Sequence, residues 1–405
     1  MFYNKISIFP YEREKILKLT IQQIHKHFEN SIALISQNKI GVEYEIFCFH
    51  KDTLDRLAYD SDPGIQTILH HIQQQTNSQI IQENNNTIAL KNKDYSITLE
   101  PGGQLEASFL PCTNLLEFQT KLDNYLAILQ QIQMKYPIIF IAMGVDPFHT
   151  LDEIPWMPKQ RYKIMRKYFA QFNDKSHCMM KQTAAIQINI DYNSEQDAIY
   201  KYNTALHIHP TLVPLTSNTP LYENAIPNPP YYRSYIWQNT CTERTGHHPI
   251  QSFQDYIDYA LDIPMFFICR ENQYIAFPTK TTFRQYLEYG FQEYTATYED
   301  WILHLNTIFT AVRFNNKTLE IRIFDSHKPK FLLAYTALVQ SLFYTSPQQN
   351  LQGKTLSELL DIAHNNLPKQ EQHYLLPLYE VVEQKKQQKT ETIDAQDILQ
   401  QYTVL

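Results

Sequence analysis

The sequence predicts a large mixed protein of helices and strands, either one elaborated α/β unit or two domains, on three observations. First, 405 residues with 43% hydrophobic and 13% aromatic content are ample for a core and exclude global disorder. Second, residues 40–49, 183–192 and 319–323 are rich in strand formers or alternate apolar and polar residues with the two-residue period of a strand. Third, longer segments, 11–38 and 113–136, read as helices.

Taken in order, residues 11–38 predict an amphipathic helix with Ile16, Leu17, Leu19, Ile21, Ile24 and Phe28 as its apolar side. A strand over 40–49 follows. The polar stretch 82–94 predicts a hairpin or loop before a strand at 95–100. A helix over 113–136 leads into Pro137 to Met143, a buried strand ending at Gly144. In 183–192, Gln187, Asn189 and Asp191 share one face, while Ile186, Ile188 and Ile190 share the other. That polar face either lines a site or looks to solvent from a sheet edge. Pro210, Pro214, Pro220, Pro227, Pro229 and Pro230 predict a long ordered loop or linker over 206–232. Helices at 331–347 and 354–366 precede a helical tail from 370, with a solvated Gln/Lys-rich face near 384–390. There is no internal repeat.

Composition narrows the function classes. Lys and Arg number 35 against 42 Asp and Glu, a net charge of −7, which gives no support to nucleic-acid binding through a basic surface. The 5 cysteines form no C-x-x-C pair and fit reduced thiols. The amino terminus lacks a signal-peptide layout and no apolar run approaches 18 residues, so a soluble cytoplasmic protein with no membrane partner is expected.

The chemistry lies in three carboxylate sites: Gly41-Val42-Glu43-Tyr44-Glu45, Leu99-Glu100-Pro101-Gly102-Gly103-Gln104-Leu105-Glu106, and Leu319-Glu320-Ile321-Arg322. Glu43 and Glu45 are two apart in a strand and point to one face, and Glu320 and Arg322 repeat the spacing. Pro101-Gly102-Gly103 turns the chain so that Glu100 and Glu106 flank one bend. Acids gathered on one face repel and lose water, so they need cations. Hard oxygen ligands beside an arginine suit Mg²⁺ carrying a phosphate-bearing substrate. Only 8 residues are glycine, and Gly41, Gly102, Gly103, Gly144 and Gly246 fall in these polar segments, where close approach or positive φ would explain them.

The basic counterpart is Pro155 to Arg166, where Pro158 opens a helix and Lys159, Arg161, Lys163 and Arg166 supply charge. They either hold phosphate or carboxylate groups at the helix start or form a solvated basic face. A P-loop is excluded, because the glycine required before Gly353-Lys354-Thr355 is Gln348. His207, His209, His247 and His248 have no third or fourth ligand at a matching spacing, so loop or surface histidines are expected rather than zinc.

Together these segments resemble the plant and proteobacterial type of glutamate–cysteine ligase. The resemblance runs in family order over about residues 40–330. Besides the acid motifs and Pro155 to Arg166, it includes Ile186 to Asp191, Ile236 to Thr240, Glu243 to Gly246 and Tyr256 to Phe266. It implies an α+β fold like the glutamine synthetase catalytic domain and the guanidino kinases. In that fold a curved, mainly antiparallel sheet has helices on its outer face and ATP and metals on its concave face. It implies one catalytic domain over 1–405, with 40–330 as core and 331–405 as a helical C-terminal extension. The implied reaction is ATP-dependent γ-glutamylation of cysteine through a γ-glutamyl phosphate, the first step of glutathione biosynthesis, in a monomer or homodimer. A carboxylate does not acylate an amine until its oxygen is made a leaving group, which is what the phosphoryl transfer does. The implied metal-binding acids are Glu43, Glu45, Glu100, Glu106 and Glu320, and the implied catalytic arginines are Arg322, Arg166 and Arg161. Gln187, Asn189, Arg244 and Lys159 would contact substrate or ATP. Departures at Glu106-Ala107-Ser108-Phe109, Lys181 to Ala185 and Ile323-Phe324-Asp325 put the larger Phe109 and Phe324 where they would reshape the amino-acid pockets. A relative using another amine acceptor, an inactive binding homologue and a glycoside hydrolase are the alternatives.

Overall fold

The computed structural model of the protein describes residues 18–33, 38–173, 175–278, 280–315, 317–344, 348–387 and 395–405, with backbone alone at 385–387, 395 and 396. Branched and aromatic residues build eleven strands among the described residues: β1 Ile40–His50, β2 Gln79–Glu83, β3 Asn86–Lys91, β4 Tyr95–Leu99, β5 Leu105–Cys112, β6 Ile138–Ile141, β7 Ala185–Ile190, β8 Phe267–Arg270, β9 Gln273–Ala276, β10 Val312–Phe314 and β11 Leu319–Asp325. Nine of them form one antiparallel sheet in the order β10-β11-β7-β1-β5-β4-β3-β2, with β6 paired to the far half of β1. β8 and β9 make a separate hairpin.

The expected curved sheet with a concave face is corrected by this topology. The strand path has two ends, β10 and β2, that do not pair with each other, so the sheet is open. Closure needs end strands long enough to exchange a full ladder. β10 has only three residues, and β2 is a largely exposed edge. The α+β class and the antiparallel pairing agree with expectation.

Helices cover one face of the sheet. Phe109 on β5 packs against Phe118 and Tyr125 of the helix Leu115–Lys135, with ring centroids 5.4 and 5.8 Å apart. Phe324 on β11 stacks on Tyr335 of the helix Pro329–Phe343 at 5.0 Å. Phe314 on β10 stacks on Tyr202 of the helix Glu195–Thr216 at 5.4 Å. The carboxylates occupy the opposite face. Further along β1 that face carries Phe47 and Phe49, which join Ile139, Ile141, Phe148 and Ile398 in a second, smaller core.

Several expectations change. The first helix is Ile21–Glu29, capped by Thr20 and Gln23, while the expected 11–17 and 34–37 lie outside the described residues. The polar stretch 82–94 runs from the end of β2 through β3 to the turn before β4, and the β2–β3 hairpin turns at Asn84 and Asn85, both at positive φ, as an asparagine-led hairpin turn requires. The predicted loop over 206–232 is corrected: residues up to Thr216 continue a 22-residue helix that contains Pro210 and Pro214. Burial of Leu206, Ile208, Leu212, Val213 and Leu215 outweighs the missing N–H groups there. β7 lies between β1 and β11, so its polar face is interior and not a solvent-facing edge.

Candidate active site

Strand register assembles the carboxylates. Across β1, β5 and β7, Glu43 stands opposite Gln187 on one side and Ser108 on the other, while Glu45 stands opposite Glu106. Glu320 on β11 stands opposite Asn189 on β7 and Arg313 on β10. Directly opposed residues of antiparallel strands share a face. Four acids from three distant segments therefore meet on one surface, and Glu100, in the turn before β5, lies near enough to Glu45 and Glu106 for their charges to interact.

Polar neighbours hold them. Asn189 Nδ2 donates to Glu43 Oε1 at 2.9 Å, and Gln187 Nε2 to Glu45 Oε1 at 2.7 Å. The Ala185 amide donates to Glu45 Oε2 at 2.8 Å. Thr98 Oγ1 donates to Glu106 Oε1 at 2.7 Å. Glu320, 1% exposed, takes a bidentate pair from Arg313 at 2.9 and 3.0 Å, plus Asn315 Nδ2 at 2.9 Å. Arg322 bridges Glu320 and Gln187. It sits in a bulge, where Arg322 and Ile323 together oppose the single position Gln187. The bulge shifts the alternation, so Phe324 turns into the core beneath the sheet. Phe324 and Phe109 are both buried among core rings, so neither reaches the acid face, correcting the expected reshaping of pockets.

The electrostatics are unevenly shared. Burial pushes Glu320 up, but Arg313 and Arg322 more than offset it and hold the carboxyl down to about 2. Burial, with Glu320 and Glu106 nearby, pushes Glu43 up to about 8. Burial and Glu106 push Glu100 up to about 7, and burial with Glu100 and Glu106 raises Glu45 well above its usual range. Glu320 thus has its countercharge in the protein, while the acids of β1 and the turn have too little.

The chain from Leu99 to Gly102 is tied at each carbonyl. Leu99 O accepts from Lys159 Nζ at 2.8 Å and from Tyr162 Oη. Glu100 O accepts from the Gly103 amide, and Pro101 O from the Met157 amide, both at 2.9 Å. Gly103 has φ +82°, which explains glycine there. Lys159 is buried, and burial with Arg161 pulls its ammonium down to about 7, an effect the nearby Glu100 opposes. Glu83 Oε1 accepts the Gln160 amide, so a protein carboxylate already occupies the start of the helix Gln160–Phe169, where an anion was expected.

Arg166 is exposed and rests on Trp156, 5.0 Å from the ring centroid, with Lys181 at 5.0 Å from the same ring. Arg244 is fully buried; it donates to Thr307 O at 2.7 Å and to Pro264 O and lies 3.7 Å from the Phe266 centroid. Arg313, Asn315 and Arg233 were missed. Arg313 falls in a three-residue strand whose register alone brings it to Glu320. Arg233 donates to Arg322 O at 3.0 Å, lies 3.6 Å from Asp325, and opens on a cavity of about 40 Å³ lined also by Trp237, Phe309, Arg322, His209 and His247. The rings of His209 and His247 are 5.0 Å apart.

Among the described residues, no three His, Cys, Asp or Glu side chains converge as a ready-made metal cage. The chemistry of the acids nonetheless fits Mg²⁺, which is bound by one or two carboxylates together with waters and substrate phosphates. The undercompensated charge at Glu43, Glu45 and Glu100 is what a cation would relieve. Among the described residues, no helix is long and apolar enough to cross a membrane.

The acid face of this open antiparallel sheet is thus a buried to half-buried field of carboxylates, in which Glu320 is neutralised by arginines while Glu43, Glu45 and Glu100 are not. Residues 39–371 match the family model described as Glutamate-cysteine ligase family 2. The chain is 35% identical over 314 residues to "Glutamate--cysteine ligase A, chloroplastic" of Oryza sativa subsp. indica, covering 76% of this chain and 63% of that protein. It is 34% identical over 334 residues to "Glutamate--cysteine ligase, chloroplastic" of Arabidopsis thaliana, covering 80% and 63%. A crystal structure of a glutamate–cysteine ligase from Francisella tularensis in complex with AMP superposes with a TM-score of 0.49 at 12% identity, over 86% of this chain and 82% of that one. The chain belongs to glutamate–cysteine ligase family 2. It spans about 63% of the length of these plant relatives. Their chloroplastic names overturn the expected cytoplasmic location.

Proposed function

We propose that the protein is an ATP-dependent carboxylate–amine ligase, joining the γ-carboxylate of L-glutamate to the amine of L-cysteine with release of ADP, the first step of glutathione biosynthesis. The observation that carries this reading is the facing of Glu45 with Glu106 and of Glu320 with Asn189 on the surface that also holds Glu43 and Arg322. Glu43, Glu45, Glu100, Glu106 and Glu320 would hold Mg²⁺. When bound, the ion supplies charge neutralisation for the ATP phosphates. Arg322, hydrogen-bonded within the acid face and lining the adjoining cavity, would draw the transferring phosphoryl group toward the glutamate side chain. Arg161, beside the Glu100 turn, adds positive charge on the other flank, and Lys159 braces that turn through Leu99 O. The cavity at Arg233 and Trp237 offers an amino acid a cationic and aromatic wall next to Arg322. The core at 40–330 would carry the chemistry, with 331–405 bracing it from behind.

The test is ATP turnover with L-glutamate and a panel of amines that includes L-cysteine. ADP formation dependent on glutamate, Mg²⁺ and cysteine is expected. AMP with pyrophosphate would mean adenylation of the carboxylate, and preference for another amine would replace cysteine as the acceptor.

A further inference from the structure

One buried ion pair on the site side of β1 takes no part in the reading above. Arg56 follows β1 and pairs back on Phe49 across a tight turn. Its side chain, 1% exposed, lies over the rings of Phe47 and Phe49, 4.7 and 5.5 Å from their centroids. Arg56 Nη1 donates to Asp146 Oδ2 at 2.8 Å, and Nη2 donates to Gly102 O at 2.5 Å. Asp146 is fully buried, and its other oxygen accepts from the amides of Phe148 and His149, both at 2.9 Å, and faces His149 Nδ1 at 3.2 Å.

Burying such a pair is costly, and an apolar side chain of similar length would fill the space between two phenylalanines at less expense. What an apolar residue lacks is the donor for Gly102 O. The Gly102 carbonyl belongs to the turn between Glu100 and Glu106, and the turn is docked so closely that a Cβ at Gly102 would overlap the Lys181 backbone. The carbonyls of Leu99, Glu100 and Pro101 are satisfied by Lys159 with Tyr162, by Gly103 and by Met157 respectively. Gly102 O receives its hydrogen bond from Arg56.

We propose that Arg56, anchored by Asp146, is a positioning residue that locks the Pro101–Gly103 turn and so sets Glu100 against Glu106 for cation binding. The cation half of this statement rests on the ligase reading; the locking half does not. Arg56 touches none of the five acids through any hydrogen bond or ion pair seen among the described residues, so its effect passes through the backbone.

The experiment compares wild type, Arg56→Met, Arg56→Lys and Asp146→Asn. Amide exchange at Glu100 and Gly103, whose N–H groups close the turn, is measured without ligands, and Mn²⁺ binding is measured by calorimetry. Lysine offers one nitrogen where arginine uses two, Nη1 on Asp146 and Nη2 on Gly102 O, so Arg56→Lys should fold, exchange those two amides faster than wild type, and keep the remaining sheet amides protected. Its Mn²⁺ affinity should fall by roughly tenfold, the usual loss on removing a group that orients a ligand. Arg56→Met should lose more, and Asp146→Asn should resemble Arg56→Lys. In turnover, the Mg²⁺ requirement should rise more than kcat falls. Unchanged exchange at Glu100 and Gly103 in the folded Arg56→Lys protein overturns the proposal even if Arg56→Met does not fold. Uniformly faster exchange across the sheet also overturns it, since that is what a merely structural pair would give. Wild-type protein that neither binds Mn²⁺ nor turns over ATP removes the ligase reading and leaves the exchange result to judge the turn lock alone.

Discussion

Arg313 decides how Glu320 behaves. A carboxylate 1% exposed stays ionised because Arg313 grips both its oxygens and Arg322 adds a third contact. Removing one partner of such a pair strands the other charge, so Arg313→Met should cost about 3–5 kcal/mol in chemical denaturation. Adding Glu320→Gln to that variant should recover part of the loss, because the stranded charge is gone; no recovery would mean that the pair is not the source. Glu43 shows the opposite economy. Its folded-state pKa is raised to about 8 by burial, Glu320 and Glu106. A carboxyl whose pKa rises on folding costs stability that grows from its unfolded value, about 4.3, up to the folded one. Without metal, Glu43→Gln should therefore melt higher than wild type, with the gap widening between pH 5 and 8. Melting curves across that range check the sign; a gap that narrows with pH would contradict it. Saturating Mg²⁺ should shrink or reverse the gap, since only the glutamate gains from the cation.

At the scale of elements, the turn at Pro101–Gly103 and the bulge in β11 do what straight strands cannot. The bulge aims Arg322 at Gln187 and sends Phe324 into the core. The turn needs positive φ at Gly103, where a side chain would also press on Met157. Gly103→Ala should cost about 1–2 kcal/mol in the left-handed region. It should also raise the Mg²⁺ concentration needed for half-maximal turnover, by displacing Glu100. A thermal melt and a Mg²⁺ titration measure the two effects separately, and a stability loss with no change in metal requirement would detach the turn from the site.

Across the whole molecule, one side of the open sheet is sealed by helices, leaving the other for the acids. The end of the described chain is tied in as well: Val404 donates to Phe140 O at 2.9 Å beside β6, and Ile398 enters the second core. All five cysteines are free, and Cys48, Cys112, Cys178 and Cys241 are buried. Melting temperature and any turnover should therefore be indifferent to a mild reductant. A marked fall in either on adding one would reveal a disulfide and refute this.

The sequence by itself determined which side chains share a strand face, since the two-residue alternation of Glu43 with Glu45 and of Gln187 with Asn189 is local backbone geometry. It also determined the need for glycine at the turn, and the motif order that marks the family. What it left open was every relation between distant strands. The pairing of Glu45 with Glu106, the meeting of Glu320 with Arg313, and the rescue of Gly102 O by Arg56 depend on register and docking between segments far apart in the chain. Openness of the sheet, continuation of a helix through Pro210 and Pro214, and burial of Arg244 against Phe266 and the carbonyls of Pro264 and Thr307 belong to the same class. Register is chosen by the burial of whole faces at once, a collective free energy that no short window of residues contains.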